Sequence, residues 1–266
     1  MPRPIVTFTS DFGTQDWFVG VVHGVLAALA PSTTIVDLNH AIPPGDVARG
    51  AFLLEVASGD FPAGTTHLAV VDPGVGTDRR ALAVRARGSF FVGPDNGLLE
   101  WALCDPAAEV HELTEERWFR TPVSRTFHGR DVFAPVAARL SLGTPLSEFG
   151  PLLADPLRLA RIHPRQEGDV LHGQIVFIDR FGNALTNVTE AALREAFGGV
   201  PDSGLTLTVP GRVVAGLART YGDAPVGTIV AVLGSSGRLE LAQVGGHAAE
   251  RLGLGLGDPV SVRLSP

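Results

Sequence analysis

The sequence predicts two domains of different class, an N-terminal α/β domain with a mainly parallel sheet and a small C-terminal β-barrel. Three observations predict it. In the first half apolar strand patterns alternate with helical ones, in the second half short strands follow one another between Gly and Pro turns, and a Pro-rich charged stretch separates the halves.

Taken in order, IVTFTS reads as a buried strand ending at Asp11. Between Gln15 and Ala30, residues Phe18, Val21, Val22, Val25, Leu26 and Leu29 recur at helical spacing, and Pro31 stops that helix. TTIVDL is a second strand, Asp46 to Ser58 a second helix and THLAVVD a third strand. ALAVRA and SFFVG form a further strand pair, and RDVFAPVAARLSL is an amphipathic helix. PLLADPLRLARIHPRQEG carries Pro151, Pro156 and Pro164 among charges, the composition of a linker. HGQIVFID, NALTNV, LTLTV, TIVAVLG, RLELAQV and PVSVRL then read as strands, with TEAALREAF and HAAERLG as the helices among them. The predicted boundaries are 1–155 for the α/β domain, 156–168 for the linker and 169–266 for the barrel.

Composition removes several function classes. The 266 residues include 45% hydrophobic ones, enough for packed cores, yet no run approaches the ~20 apolar residues of a membrane span. MPRPIVTFTSDFG lacks a charged region followed by an apolar one, so no secretory signal is expected and a cytoplasmic location is. Net charge is −7 with no basic run, which argues against nucleic acid as partner. Cys104, the single cysteine, excludes an intrachain disulfide and a cysteine zinc cluster, and beside Leu103 it reads as core. All 21 basic residues are arginine, from which no function follows.

Polar clusters fall at the ends of the N-terminal strands: SDFGTQD, DLNHAIPPGD, DPGVGTDRR, GPDNG and TFHGRD. Ligands of open parallel sheets bind outside the carboxyl ends of strands, so five such clusters point to a site, although turns and helix caps use the same residues. GVG within DPGVGTDRR lacks both the Lys-Ser/Thr of a P-loop and dinucleotide-fold spacing. Its useful feature is Asp72 and Arg79 bracketing a glycine-rich turn. Asp11, Asp16, His40, Asp46, Asp72 and His128 are a conceivable oxygen and imidazole metal set, but no H-x-x-x-H or H-x-H pair anchors one, and no metal is expected. In the second domain, IDRFGNALTN offers Asp179, Phe181 and Asn183, and LGSSGRLELA offers Ser235 and Ser236. Position leaves open whether Asn183 satisfies its own turn or reads a ligand edge.

Seven ordered blocks, TFTSDFGTQDWFVG, DLNHAIPPGDVARGAF, VVDPGVGTDRRALAV, FVGPDNGLL, TFHGRDVFAPVAA, IDRFGN and GSSGRLELA, resemble the S-adenosyl-L-methionine hydroxide adenosyltransferase family over nearly the whole chain. Its relatives include fluorinating and chlorinating enzymes. The resemblance implies hydrolysis of S-adenosyl-L-methionine (SAM) to adenosine and methionine without cofactor or metal, in a homotrimer whose substrate lies between one subunit's N-domain and its neighbour's C-domain. It places Asp72, Arg79 and His128 around the attacking water. The halogenating branch instead carries Tyr-Pro where this chain has Asp72-Pro73, and lacks the imidazole of His128. By the same matching Asp11 holds the ribose hydroxyls, Asp179 and Ser235 the methionine amino and carboxylate ends, and Asn183 the adenine. Phe127, Phe181, Tyr221 and Ala248 complete the substrate pocket. The chain departs from the family pattern at Gly234, where Asn is expected, and at Gly246-His247-Ala248, where Gly-Asn-Ala is usual. A SAM-dependent halide transferase and a non-catalytic SAM or adenosine sensor are the competing readings.

Overall fold

The structure, a computed structural model, describes residues 3–199 and 204–264 and divides into two compact units, Met1–Ala160 and Arg161–Pro266. Among the described residues no helix is long and apolar enough to cross a membrane.

Six strands form the sheet of the first unit: β1 (Ile5–Ser10), β2 (Thr34–Asn39), β3 (Thr66–Val70), β4 (Ala81–Ala86), β5 (Ser89–Pro94) and β6 (Glu109–Glu112), in the order β2-β1-β3-β5-β4-β6. The pairs β1–β2, β1–β3 and β3–β5 are parallel, whereas β4 runs antiparallel to both neighbours. The ALAVRA and SFFVG segments make that antiparallel hairpin. β6 was not foreseen, because EVHE carries three polar residues and too short an alternation to register as a strand.

Strand alternation distributes the core to both faces. Val6, Phe8, Leu68 and Val70 meet helices α1 (Phe18–Leu29) and, later in the chain, α4 (Ala134–Ser141). Ala69, Val71, Leu82 and Val84 face the other way, onto α2 (Val47–Ala57) and the short α3 (Glu100–Leu103). α2 starts where the sequence indicates, with Asp46 accepting from Arg49 N–H at 2.9 Å as N-cap. α1 starts three residues later than the periodicity suggests, since Asp11 to Trp17 form a turn instead. The helix expected over RDVFAPVAARLSL begins as a π-turn at Gly129–Phe133 before becoming α4, with Pro135 in its first turn, where the missing N–H is tolerated.

Since β1 lies between β2 and β3, the chain leaves it toward β2 and returns on its other side as β3. That reversal makes the carboxyl end of β1 a topological switch point, where a crevice opens. Ser10 pairs with Val70, so Asp11 and the chain leading to Asp72 emerge side by side.

The stretch after Pro151 is held firmly to the first unit. Buried Asp95 accepts from Leu157 N–H at 2.7 Å, buried Glu100 accepts from Leu159 N–H at 3.0 Å and pairs with Arg158, and Arg80 bridges Asp95 and Asp155.

The second unit is an antiparallel, nearly closed barrel. Its strands are β7 (Arg165–Glu167), β8 (Val170–Ile178), β9 (Ala184–Thr189), β10 (Leu205–Val209), β11 (Arg212–Ala215), β12 (Ile229–Leu233), β13 (Arg238–Gln243) and β14 (Pro259–Leu264). The order is β11-β10-β14-β8-β9-β13-β12, with β7 on β8, and Ala218 N–H donates to Ala231 at 2.8 Å to bring the two ends together. Ile175, Val188, Leu207, Leu239, Leu241 and Val262 fill the interior. Helix α5 (Glu190–Phe197) is capped by Thr189, and α6 (Ala248–Leu252) by His247.

One core group makes stability pH-dependent. His67 is fully buried, with Nδ1 2.8 Å from Thr7 Oγ1, its ring stacked on Phe91, and Nε2 without a hydrogen-bond partner among the described residues. Burial pushes its pKa down to about 4 from 6.5. The unfolded chain therefore binds a proton between those values that the native state refuses, so stability is intact above pH 6.5 and falls as pH drops toward 4, by up to roughly 3 kcal/mol. Denaturant unfolding across pH 4–7 is expected to show this slope, and His67→Leu should flatten it. An unchanged slope in the variant would assign the acid sensitivity elsewhere.

Candidate active site

At the switch point a cavity of about 300 Å³ opens, lined by Asp11, Phe12, Phe18, Asp72, Phe127 and His128 among others. Three of these rings make one wall: Phe127 meets Phe12 edge-on at 5.8 Å and Phe18 at 5.3 Å. An apolar wall beside ionised groups strengthens their mutual electrostatics by excluding water. Asp11, which follows β1, is half-buried, and its Oδ2 accepts from Gly45 N–H at 2.8 Å.

The glycine-rich turn after β3 sets Asp72 and Arg79 face to face. Thr77 Oγ1 donates to Gly74 O at 2.7 Å, and Gly76 has φ +79°, with Arg125 O only 2.4 Å from where a Cβ would stand. Only glycine satisfies both conditions there. Arg79 Nε then donates to Asp72 Oδ1 at 2.9 Å and Nη2 to Oδ2 at 2.5 Å, a bidentate pair whose side chains are only 10% and 6% exposed.

The same Nη2 reaches His128 Nδ1 at 2.9 Å. Arginine has no acceptor atom, so Nδ1 must accept, and a neutral His128 carries its proton on Nε2. Burial, then the Arg79 charge, lowers the His128 pKa, with Asp72 and Asp131 opposing more weakly. His128 is thus neutral at pH 7. It stands immediately before the π-turn, a local widening of the helix that often marks functional positions. Asp72, Arg79 and His128, 49 residues apart at the extremes of the Arg–His contact, form one hydrogen-bonded unit.

The candidate residues of the second unit gather around two hairpin turns. Asp179 Oδ1 accepts from Phe181 and Asn183 N–H at 2.8 and 2.9 Å, and its Oδ2 from the Asn183 side chain at 2.9 Å. The Asn183 amide N–H is therefore committed to the turn, which leaves its carbonyl oxygen available. Phe181 is 75% exposed, Ser235 is exposed, and the neighbouring Ser236 Oγ is buried without a partner among the described residues. Ala248 is buried at the start of α6.

Glu240 was missed in the sequence because LELA reads as a strand pairing Leu239 and Leu241 with the core. It is buried, accepts a hydrogen bond from the Tyr221 hydroxyl, and is held protonation-prone by burial and by the Asp179 charge. Both departures from the family pattern have a packing counterpart. A Cβ on Gly234 would stand 2.4 Å from Glu240 Oε2, so glycine here leaves room for that carboxylate. His247 takes the N-cap role of an Asn, its Nδ1 accepting from Glu250 N–H at 3.1 Å, and its ring covers Gly182, where a Cβ would come within 2.1 Å.

The six residues weighed as metal ligands are not collected in one place. Asp46 caps α2, and His40 turns to Ser10 and Asp37, while Asp11, Asp72 and His128 line the cavity.

Residues 6–150 match the SAM hydroxide adenosyltransferase N-terminal domain, and residues 173–261 match the C-terminal domain of the same family. The chain belongs to the SAM hydroxide adenosyltransferase family. Among members of the family, it is 45% identical over 267 residues to the (R)-S-adenosyl-L-methionine hydrolase of Salinispora tropica, covering 98% of both chains. It is 32% identical to the fluorinase of an Actinoplanes species, covering 91% of each. A crystal structure of an uncharacterised conserved protein from Thermotoga maritima superposes with a TM-score of 0.91 at 34% identity, over 97% of this chain and 99% of that one.

The chain has one tyrosine, Tyr221, whose pKa is pushed up to about 12 by burial and then by its bond to Glu240. Phenolate absorbance on alkaline titration therefore reports this contact alone. Glu240→Gln is expected to move the titration down toward about 10, whereas an unmoved titration would show that the two side chains do not meet.

Proposed function

We propose that this chain is an S-adenosyl-L-methionine hydrolase: water attacks the 5′-carbon, the carbon–sulfur bond breaks, and adenosine, methionine and a proton are released. The observation that carries the reading is the part-buried Asp72–Arg79–His128 unit, whose Asp72 and His128 line a largely apolar cavity. Greater likeness to the hydrolase than to the fluorinase supports it.

The chemistry asks little of a general acid. A sulfonium leaves as a neutral thioether, so nothing must be protonated on departure. The demand falls on the nucleophile. Water has a pKa of about 15.7, and preforming hydroxide at pH 7 would cost roughly 12 kcal/mol. Proton loss therefore accompanies attack. In-line displacement requires the oxygen about 3–3.5 Å from carbon, opposite sulfur. Asp72 fixes Arg79 and orients the water, and Arg79 stabilises the negative charge that develops on its oxygen. His128 takes the proton at Nδ1 when the water displaces the Arg79 N–H from that atom. A low His128 pKa serves this order of events, because the imidazole is free to accept at neutral pH.

Asp11 holds the ribose hydroxyls beside Phe127. Asp179 binds the methionine ammonium, Ser235 its carboxylate, and Asn183 reads adenine through its carbonyl, with Phe181, Tyr221 and Ala248 around the ligand. The orphaned Ser236 hydroxyl next to Ser235 supports a polar ligand group at that turn. The assembly is a cytoplasmic homotrimer with its active site at the subunit interface, which would cover the exposed Phe181.

Incubation with SAM in chloride-free buffer tests the reaction. Equal adenosine and methionine, with heavy-oxygen label from water in the 5′-hydroxyl, is the expected result. A chlorinated nucleoside formed only when chloride is added, or retained ligand without turnover, would overturn it. His128→Ala and Asp72→Asn are expected to keep ligand binding while lowering kcat by about 10²–10⁴-fold, and Asp11→Ala to lose binding as well.

Rate should depend on pH in one direction below neutrality. Neutral His128 is the active form, so kcat/KM is full at pH 7 and falls as pH drops through a value below 6.5. A flat profile from pH 7 to 5, with the protein still folded, would remove His128 from proton transfer.

A further inference from the structure

We propose that His23, Asp37 and His40 form a binding site for a divalent transition-metal cation of the zinc class, separate from the cavity that holds Asp72, Arg79 and His128. These three are the group of His, Cys or acidic side chains among the described residues whose ligand atoms all lie within 4.8 Å of one another. Asp37 Oδ1 lies 2.8 Å from His23 Nε2 and 3.0 Å from His40 Nε2. Ligands about 2.0–2.1 Å from a common ion stand about 3–3.5 Å apart, and the two contacts of Asp37 are close to that spacing.

The decisive feature is His40. Its side chain is only 4% exposed, and its Nε2 is buried without a hydrogen-bond partner among the described residues, because the approach to Asp37 is not aligned as a hydrogen bond. A buried polar atom without a partner is costly unless something else satisfies it. Nδ1, by contrast, is bonded to Ser10 Oγ at 2.7 Å, and Ser10 Oγ also accepts from Phe12 N–H at 3.3 Å. In the tautomer whose Nδ1–H donates to Ser10, Nε2 turns a lone pair toward Asp37 and His23, and this is the tautomer that a bound cation selects. Metal-binding imidazoles are held in this way, one nitrogen on the ion and the other on an oriented neighbour.

The two remaining ligands provide access and charge. His23 and Asp37 are 35% and 39% exposed, so an ion can enter from solvent. Two imidazoles and one carboxylate suit Zn²⁺ and its neighbours rather than Mg²⁺ or Ca²⁺, and leave a coordination position for water. Such an ion would tie α1 to the end of β2. Through His40 and Ser10 it would also brace the residue preceding Asp11.

Zn²⁺ titration of the tag-free, chelator-dialysed full chain by calorimetry tests this, with Co²⁺ absorption reporting ligand geometry. One equivalent of Zn²⁺ with a Kd below about 10 μM is expected, with a rise in Tm on saturation. His23→Ala and Asp37→Asn, at a part-exposed and an exposed position, are expected to weaken binding at least about 100-fold and to abolish the Tm rise. Absence of binding up to about 100 μM Zn²⁺, or equal binding in both variants, would overturn the proposal and leave the cluster as a hydrogen-bonded contact between α1 and β2.

Discussion

Arg79 cannot be considered apart from Asp72. Its guanidinium is almost out of water, and an unpaired charge in that position would cost several kcal/mol. The bidentate pair offsets this cost, but only if the turn between the two residues closes tightly enough to bring them together. Hence the dependence on Gly76, whose backbone passes against Arg125 O, and on Thr77, which fastens the turn to Gly74. The same guanidinium fixes the tautomer of His128 from the other side. Remove the carboxylate and both the position of Arg79 and the proton placement on His128 are lost together.

That constraint also explains where the site lies. A buried ion pair needs rigid flanking elements, and the parallel strands supply them. β1 and β3 are adjacent and in register at Ser10 and Val70, so Asp11 directly and Asp72 one residue further on are delivered from paired backbone. His128 comes from much later in the domain's sequence, immediately before the π-turn that leads into α4. Its proximity is tertiary. No spacing rule links it to Arg79.

Much of the fold was legible because it rests on local periodicity. β1, β2, β3, α2 and the barrel strands β8 to β10 and β12 to β14 follow apolar patterns that few other structures could bury. The elements that were not legible lack such a pattern. β6 is polar at three of its four residues, and β7 is three exposed residues of charge and amide. The late start of α1 reflects the polar turn that precedes it, where tertiary contacts override helical spacing. Asp72 and Arg79 could be singled out because one short turn carries both. The partnership of Glu240 with Tyr221, and of His40 with His23 and Asp37, could not, because each joins residues from separate elements at no characteristic interval.

The two departures from the family pattern show why a motif is better read as a set of contacts than as a string. At His247 the imidazole performs the capping that an Asn would, then uses the rest of its ring to cover Gly182. Gly182 has φ +83° and stands where the turn from Asp179 to Asn183 closes, so this cover packs against the turn that carries both residues. At Gly234 the Glu240 carboxylate occupies the space that a side chain would need, and it is itself tied to Tyr221. A change of residue within a recognised motif is therefore weighed by the contacts found at its position, and here both positions are closely packed, His247 against Gly182 and Gly234 against Glu240.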